Sequence, residues 1–377
     1  MKTCAEILTN LISIPSVSIM SNRAVIEYAR EYFDPQRWRS TIYAYPDSAG
    51  IEKLNLVAIT GRGDERSAEL PLVCHTDTVA FADDWSEAVR PAVRDGKLYG
   101  RGSCDVKGFL ACLLAVIQDL DPARLARRLA VVLTADEETG CVGAKHLASW
   151  RAFESRFMII GEPTGLAVAY AGKGYGLGQI LVRGKAAHSA FPAQGRSAIR
   201  DGARVMERLD VVAARLASQS DPDLDPPVTT LNVGLISGGT AKNIIPEECR
   251  ITVEWRPIPG QDPQWTASLI SEQLARLAHE FPGFDAQLEV QRLDPPFGGK
   301  RDGRLTMLLE SLTNRCSRTV SFGTEAAHLA GLASEIVVFG PGDMTVAHRT
   351  GEFVALDDLE ECVRYLRVAV DELCGSQ

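Results

Sequence analysis

His75, Asp77, Asp105, Glu137, Glu138, Glu162 and His348 are the residues of this chain whose types and surroundings can do chemistry together. They sit in five short motifs, VCHTD (73–77), GRGSCDVKG (100–108), TADEETG (134–140), IIGEPTG (159–165) and PGDMTVAHRTGE (341–352). Most of these motifs follow an apolar run, so the polar residues fall at the ends of buried strands. Carboxylates gathered this closely repel one another and raise one another's pKa values unless a positive charge compensates them. Divalent cations supply that charge. Mixed imidazole and carboxylate donors suit zinc, cobalt or manganese better than magnesium or calcium. The donors outnumber what one tetrahedral ion uses. Two cations sharing a bridging carboxylate use them all, and Asp105 is the natural bridge. Of Glu137 and Glu138, one can bind metal while the other stays free beside the attacking water, which makes it a general base by position. Asp136 would then face away, toward a helix start or solvent.

Each motif also has a plainer reading. His75 with Asp77 can form a capped turn, Glu137–Glu138 an acidic pair at a helix N-terminus, and Asp105 an N-cap to a helix beginning near Val106. Glu162–Pro163 can simply end a strand. Five such motifs together weigh against these readings. Cys74, Cys104 and Cys141 adjoin the motifs and read as packing behind the site rather than as thiol ligands. His146, His279 and His328 read as structural. The glycines of GRGSCDVKG lack the spacing and the Lys-Ser/Thr ending of a phosphate loop.

The elements that must position these residues are legible in the pattern. LNLVAIT (54–60), LPLVCHTD (70–77), LAVVLTAD (129–136), FMIIGEP (157–163) and EIVVFGPGD (335–343) each begin apolar and end polar. Helical patterns lie between them at 106–120 and 141–150, and 356–373 is a closing helix. Continuous apolar strands flanked by helices predict an α/β fold with a mostly parallel sheet, and ligands bind beyond the carboxyl ends of such strands. From 174 to 289 the texture changes to strands that alternate in places, a helical segment at 197–209 and a long helix at 262–281, which predicts an inserted α+β domain. The catalytic domain would then comprise 1–173 and 290–377.

Composition narrows the function classes. The chain has 377 residues, is 45% hydrophobic and 24% charged, and carries a formal charge of −9. Its basic residues are dispersed apart from RLARR (124–128), which reads as a solvated helix end, so no nucleic-acid partner is expected. No apolar run approaches a membrane span, and the N-terminus lacks the pattern of a secretory signal. Nine cysteines without CxxC spacing fit reduced thiols and a cytoplasmic location.

The motifs HTD, GRGSCDVKG, ADEETG, GEPT and AHRTGEF, in this order along nearly the whole chain, resemble the M20 family of dinuclear metallohydrolases. With SFGTEAAH (321–328) they most resemble its members that act on N-acetylornithine. The resemblance implies hydrolysis of the acetyl amide to ornithine and acetate in arginine biosynthesis. N-succinyl-diaminopimelate, another N-acyl amino acid or a dipeptide are the alternative substrates. It implies two zinc (or cobalt) ions, one held by His75 and Glu162, the other by Glu138 and His348, with Asp105 bridging. Asp77 would accept the second N–H of His75. Glu137 would take the water's proton and pass it to the leaving amine. His188, in RGKAAHSAFP, would stabilise the oxyanion from the partner subunit of a homodimer, with the inserted domain acting as dimerisation and lid domain. Asn243 and Arg256 would bind substrate, Arg256 gripping its α-carboxylate. Thr324 and Glu325 would meet the side-chain end, Glu325 attracting the δ-ammonium, although Glu325 can equally be a helix-start residue. A non-catalytic metal-holding protein on this fold is the rival from another class, and the presence of Glu137, His188 and all five ligand-type residues speaks against it.

Overall fold

The two strands at the centre of the sheet that carries the motifs leave no side chain to solvent. Leu70–His75 and Leu129–Thr134 are buried at every position. Burying each of these Leu and Val side chains stabilises the fold by about 1.5–3 kcal/mol. The computed structural model describes residues 1–61 and 66–375. The chain divides into two compact units, one comprising Met1–Ala171, Gly299–Arg318 and Thr324–Gln377, the other Gly172–Gly298 and Thr319–Gly323.

In the first unit, strands Leu129–Thr134, Leu70–His75, Glu154–Ile160 and Ala333–Val338 lie side by side and parallel. The register places His75 opposite Thr134, Val73 opposite Ile160, and Val338 opposite Ile160, so the four carboxyl ends share one edge. Helix Lys107–Asp119 is buried along most of its length, and Cys4–Ile12 and Leu356–Cys374 pack into the same core. Strand Glu52–Thr60 differs from the parallel expectation: it runs antiparallel to Leu129–Thr134. Its partner on the other side, Trp38–Pro46, pairs with it as an antiparallel hairpin. Continuous apolarity reports burial on both faces, which either strand direction permits.

The second unit is a four-stranded antiparallel sheet in the order Thr230–Gly238, Glu248–Arg256, Tyr175–Arg183, Asp285–Asp294. Helices Ala198–Leu216 and Trp265–Glu280 cover it, and Val205, Leu209, Ile270 and Leu277 pack with Ile180, Ile251 and Trp255. The expected boundary at 289 falls inside the last strand. The unit continues to Gly298 because that strand keeps pairing to Asp294. RLARR begins at a helix end, since Arg124 closes the short 3-10 helix Pro122–Arg124 and Leu125 caps it, and Ala126 and Arg127 then donate backbone N–H groups to Cys374 O at the end of the closing helix. No helix among the described residues is long and apolar enough to cross a membrane.

Candidate active site

Because four parallel strands stop at one edge, the residues just past their ends converge. His75 closes its strand, Glu137 and Glu138 follow Thr134, Glu162 follows Ile160, and His348 is delivered by the loop after Val338. Asp105 arrives from the tight turn before Lys107–Asp119. That turn needs glycine at 108, where a Cβ would lie 2.4 Å from Ser103 O. Asp105 makes no helix cap; the N-cap position is Val106 and has no side-chain cap bond.

Asp105 stands between the two imidazoles. Its Oδ1 is 3.2 Å from His75 Nε2 and its Oδ2 is 3.1 Å from His348 Nε2. His348 Nε2 is also 3.1 Å from Glu138 Oε2. Two donor sets result, His75–Asp105–Glu162 and Asp105–Glu138–His348, each with its ligand atoms within 4.8 Å of one another. Asp105 belongs to both. Among the described residues no thiol enters a set. Cys74, Cys104 and Cys141 are buried and form no disulfide. Cys141 Sγ donates to Glu137 Oε1 at 3.4 Å.

The electrostatics show what the cluster lacks. Burial pushes Glu137 up to about 8, with Glu138 adding to the rise. Burial likewise pushes Glu162 well above the usual carboxylate range, reinforced by Asp105 and Glu137. Burial would raise Asp105 too, but hydrogen bonds from His348 and His75 outweigh it and hold Asp105 low. The hydrogen bonds to Asp105 and Glu138 lift His348 to about 10. Burial pulls His75 down, yet its bonds to Asp105 and Asp77 win and carry it well above the histidine range. Protons are thus retained where positive charge is needed. Nitrogen and oxygen donors in two sets that share one carboxylate fit a pair of divalent cations.

The neighbours resolve the roles of the acidic run. Asp136 has φ +59° and turns inward, not to solvent: it is buried, 3.0 Å from Lys53 Nζ, and accepts from Tyr45 Oη at 2.9 Å. This excludes the solvent alternative, while the Asp136 carbonyl accepts the N–H of Val142 at 3.1 Å, at the start of helix Val142–Ser149. The left-handed turn sends Glu137 and Glu138 on to the site. Asp77 divides its work. Its backbone carbonyl lies 3.0 Å from His75 Nδ1, whereas its carboxylate lies 3.6 Å away. The carboxylate instead accepts Ser18 Oγ at 2.7 Å and the backbone N–H groups of Glu137 and Glu138 at 3.1 and 3.3 Å.

Thr324 and Glu325 belong to the first unit and are buried, Glu325 completely. Glu325 stands at the start of helix Ala326–Leu329, and burial pushes it up to about 7. This is the helix-start placement, and it leaves no surface on Glu325 to receive an ammonium group. In the second unit, His188 and Asn243 are exposed neighbours: Ser189 donates its N–H to Asn243 O at 3.0 Å, and His188 bridges to Ile244. His188 Nδ1 accepts the Ala190 N–H at 3.1 Å, so its proton sits on Nε2, available as an outward donor. Arg256 is already paired, with Glu254 at 2.8 Å, and lies 4.5 Å over the Tyr175 ring. Arg292 faces the same ring at 4.9 Å. Sequence reasoning missed Tyr175 and Arg292, since only strand register brings them beside Arg256. It also passed over Arg101 and Glu352, although both lie inside the quoted motifs.

Fold and site together define a hydrolase whose donors are arranged for a pair of metal ions. Residues 72–372 match the model of Peptidase family M20/M25/M40, and the chain belongs to that family. It is 42% identical over 371 residues to an acetylornithine deacetylase of Myxococcus xanthus, covering 98% of this chain and 97% of the relative. Its fold is similar to that of aminopeptidase PepT from Bacillus cereus, with a TM-score of 0.75 at 20% identity, covering 98% of each chain. It is also similar to a dinuclear metal-binding peptidase of the M20 family from Bacillus subtilis, with a TM-score of 0.66 at 12% identity, covering 98% of this chain and 97% of that one.

Proposed function

We propose that this chain hydrolyses the N-acetyl amide of N-acetylornithine, releasing ornithine and acetate as a step of arginine biosynthesis in the cytoplasm. The observation that carries the chemistry is Asp105, shared by two donor sets, with the partly buried Glu137 adjoining Glu138 of one of them. The substrate assignment is supported by the similarity to the Myxococcus xanthus relative. Two divalent cations, zinc or cobalt, held by His75, Glu162, Glu138, His348 and the bridging Asp105, would polarise the amide carbonyl and make the attacking water acidic near neutral pH.

The protein groups then have distinct tasks. Glu137, which ligates neither cation, accepts the proton as water attacks the carbonyl carbon. It returns that proton to the amine nitrogen as the C–N bond breaks. Its partial burial favours this exchange, because a base with a raised pKa holds and releases a proton near neutrality. Asp77 fixes the backbone of Glu137 while its carbonyl orients His75. His188 donates Nε2–H to the developing oxyanion, supplied from a second copy of the chain. Asn243 and Arg256 contact substrate, with Arg256 exchanging Glu254 for the substrate carboxylate. A homodimer through the second unit is supported by its edge strand Thr230–Gly238, which leaves Leu235 and Ile236 exposed at 69% and 56%.

A steady-state panel on metal-reconstituted enzyme tests the reading. N-acetylornithine should give the highest kcat/KM against N-succinyl-diaminopimelate, other N-acetyl amino acids and dipeptides. A higher value for any rival would remove the substrate assignment and leave the hydrolytic chemistry standing.

A further inference from the structure

Arg101 and Glu352 belong to neither donor set, yet they form a buried ion pair directly behind the site. Glu352 is completely buried and Arg101 nearly so. Glu352 Oε2 meets Arg101 Nη1 at 2.5 Å. Its other oxygen, Oε1, accepts two backbone N–H groups, from Cys104 at 2.9 Å and from Asp105 at 3.0 Å. The Glu352 carbonyl accepts the N–H of Gly100 at 3.0 Å. Arg101 in turn reaches Ala80 O at 3.3 Å and lies 5.2 Å over the Trp85 ring. Just beyond, Phe353 pairs with Tyr99 in an antiparallel ladder.

A buried ion pair is weak evidence for stability, because desolvation opposes the Coulombic gain. Its directional bonds are therefore the informative feature. They hold the backbone of Asp105, the one residue common to both donor sets, and they anchor the chain four residues after His348. His348 needs that anchor: its side chain is half exposed and its φ is +59°. The other set draws His75 and Glu162 from positions at or next to strand ends.

Building on the two-cation reading above, we propose that Arg101 and Glu352 are a positioning pair that sets the affinity of the Asp105–Glu138–His348 cation set. The test uses the full chain as wild type, Glu352→Ala, Glu352→Gln and Arg101→Lys. Each is stripped of metal, checked for folding by thermal unfolding, and titrated with zinc against a chromophoric chelator. Glu352→Ala should bind the second cation about 10- to 100-fold more weakly, with a smaller loss at the first, which shares Asp105 but takes its other ligands from strand ends. Its kcat should fall and recover as zinc is raised, with KM little changed. Glu352→Gln retains an acceptor for both backbone N–H groups and should recover most of the second affinity, with Arg101→Lys between the two. Wild-type affinity for both cations in Glu352→Ala would overturn the proposal, as would a Gln variant no better than Ala. If the Ala variant does not fold, a wild-type second affinity in both remaining variants overturns it, and a graded loss supports it. A wild-type chain that binds fewer than two cations would overturn the two-cation reading itself, and the proposal with it.

Discussion

Glu137 donates its backbone N–H to Asp77 Oδ1 at 3.1 Å, tying the end of one parallel strand to the acidic turn after its neighbour. Glu138 donates to the other oxygen of the same carboxylate at 3.3 Å. Asp77 therefore aims the base and one ligand residue together, while its carbonyl holds His75. Asp77→Ala should lower kcat/KM by about 10- to 100-fold and weaken zinc retention. Asp77→Asn, which keeps one acceptor, should lose less. Kinetics with chelator competition measure both, and equal losses in the two variants would contradict the acceptor role.

Glu137 is the proton carrier in the proposed reaction. Glu137→Gln keeps the shape and removes the basic oxygen. Turnover should fall by at least about 10²- to 10⁴-fold, while metal analysis still finds two cations. Near-normal turnover would take Glu137 out of the mechanism.

Cation removal should be felt as pH-dependent stability as well as lost activity. In the cation-free chain, Glu137 is raised by burial from 4.5 to about 8 and Glu325 from 4.5 to about 7. Between those values the folded chain binds more protons than the unfolded one, so stability falls as pH rises through that window. Hydrogen bonds to Asp105 and Glu138 raise His348 from 6.5 to about 10. Its contribution is complete below 6.5 and is lost as pH climbs toward 10. Thermal unfolding of the chelated protein should give a lower Tm at pH 8.5 than at pH 6, and added zinc should restore Tm most at the higher pH. A chelated Tm that rises with pH over this range would contradict the sign.

Lys53 is 1% exposed, and besides Asp136 it meets the carbonyl oxygens of Ser18 and Met20. Lys53→Ala would leave Asp136 buried without its cation. The expected cost is about 3–5 kcal/mol, read from denaturant unfolding of the metal-loaded protein.

Leu235 is the most exposed large hydrophobic side chain on the edge strand of the second unit. Leu235→Asp should shift the sedimentation mass toward monomer. If His188 acts from a second copy, kcat should fall in step with the dimer fraction. A fully active monomer would place His188 in the same chain or remove its role.

Much of the site was legible in the sequence because its chemistry is local to each motif. His75, Glu138 and Glu162 could be picked out because buried apolar runs that stop at an imidazole or carboxylates report both the strand and its reactive end, whereas Asp105, before a helix, and His348, in a loop, stood out by their motifs. Five buried strands, the two helices between them, the closing helix and the alternating pattern of the second unit followed from periodicity, which records which faces meet water. The antiparallel direction of Glu52–Thr60 did not, since two buried faces look the same whichever way a strand runs. Tertiary structure alone decided the rest. Asp136 turns back to Lys53, Asp77 spends its carboxylate on two backbone N–H groups, Glu325 is sealed inside, and Glu352 reaches across 247 positions to the N–H of Asp105. Residue type fixes what a side chain is able to bond, whereas its partner is chosen by packing between segments far apart in the chain.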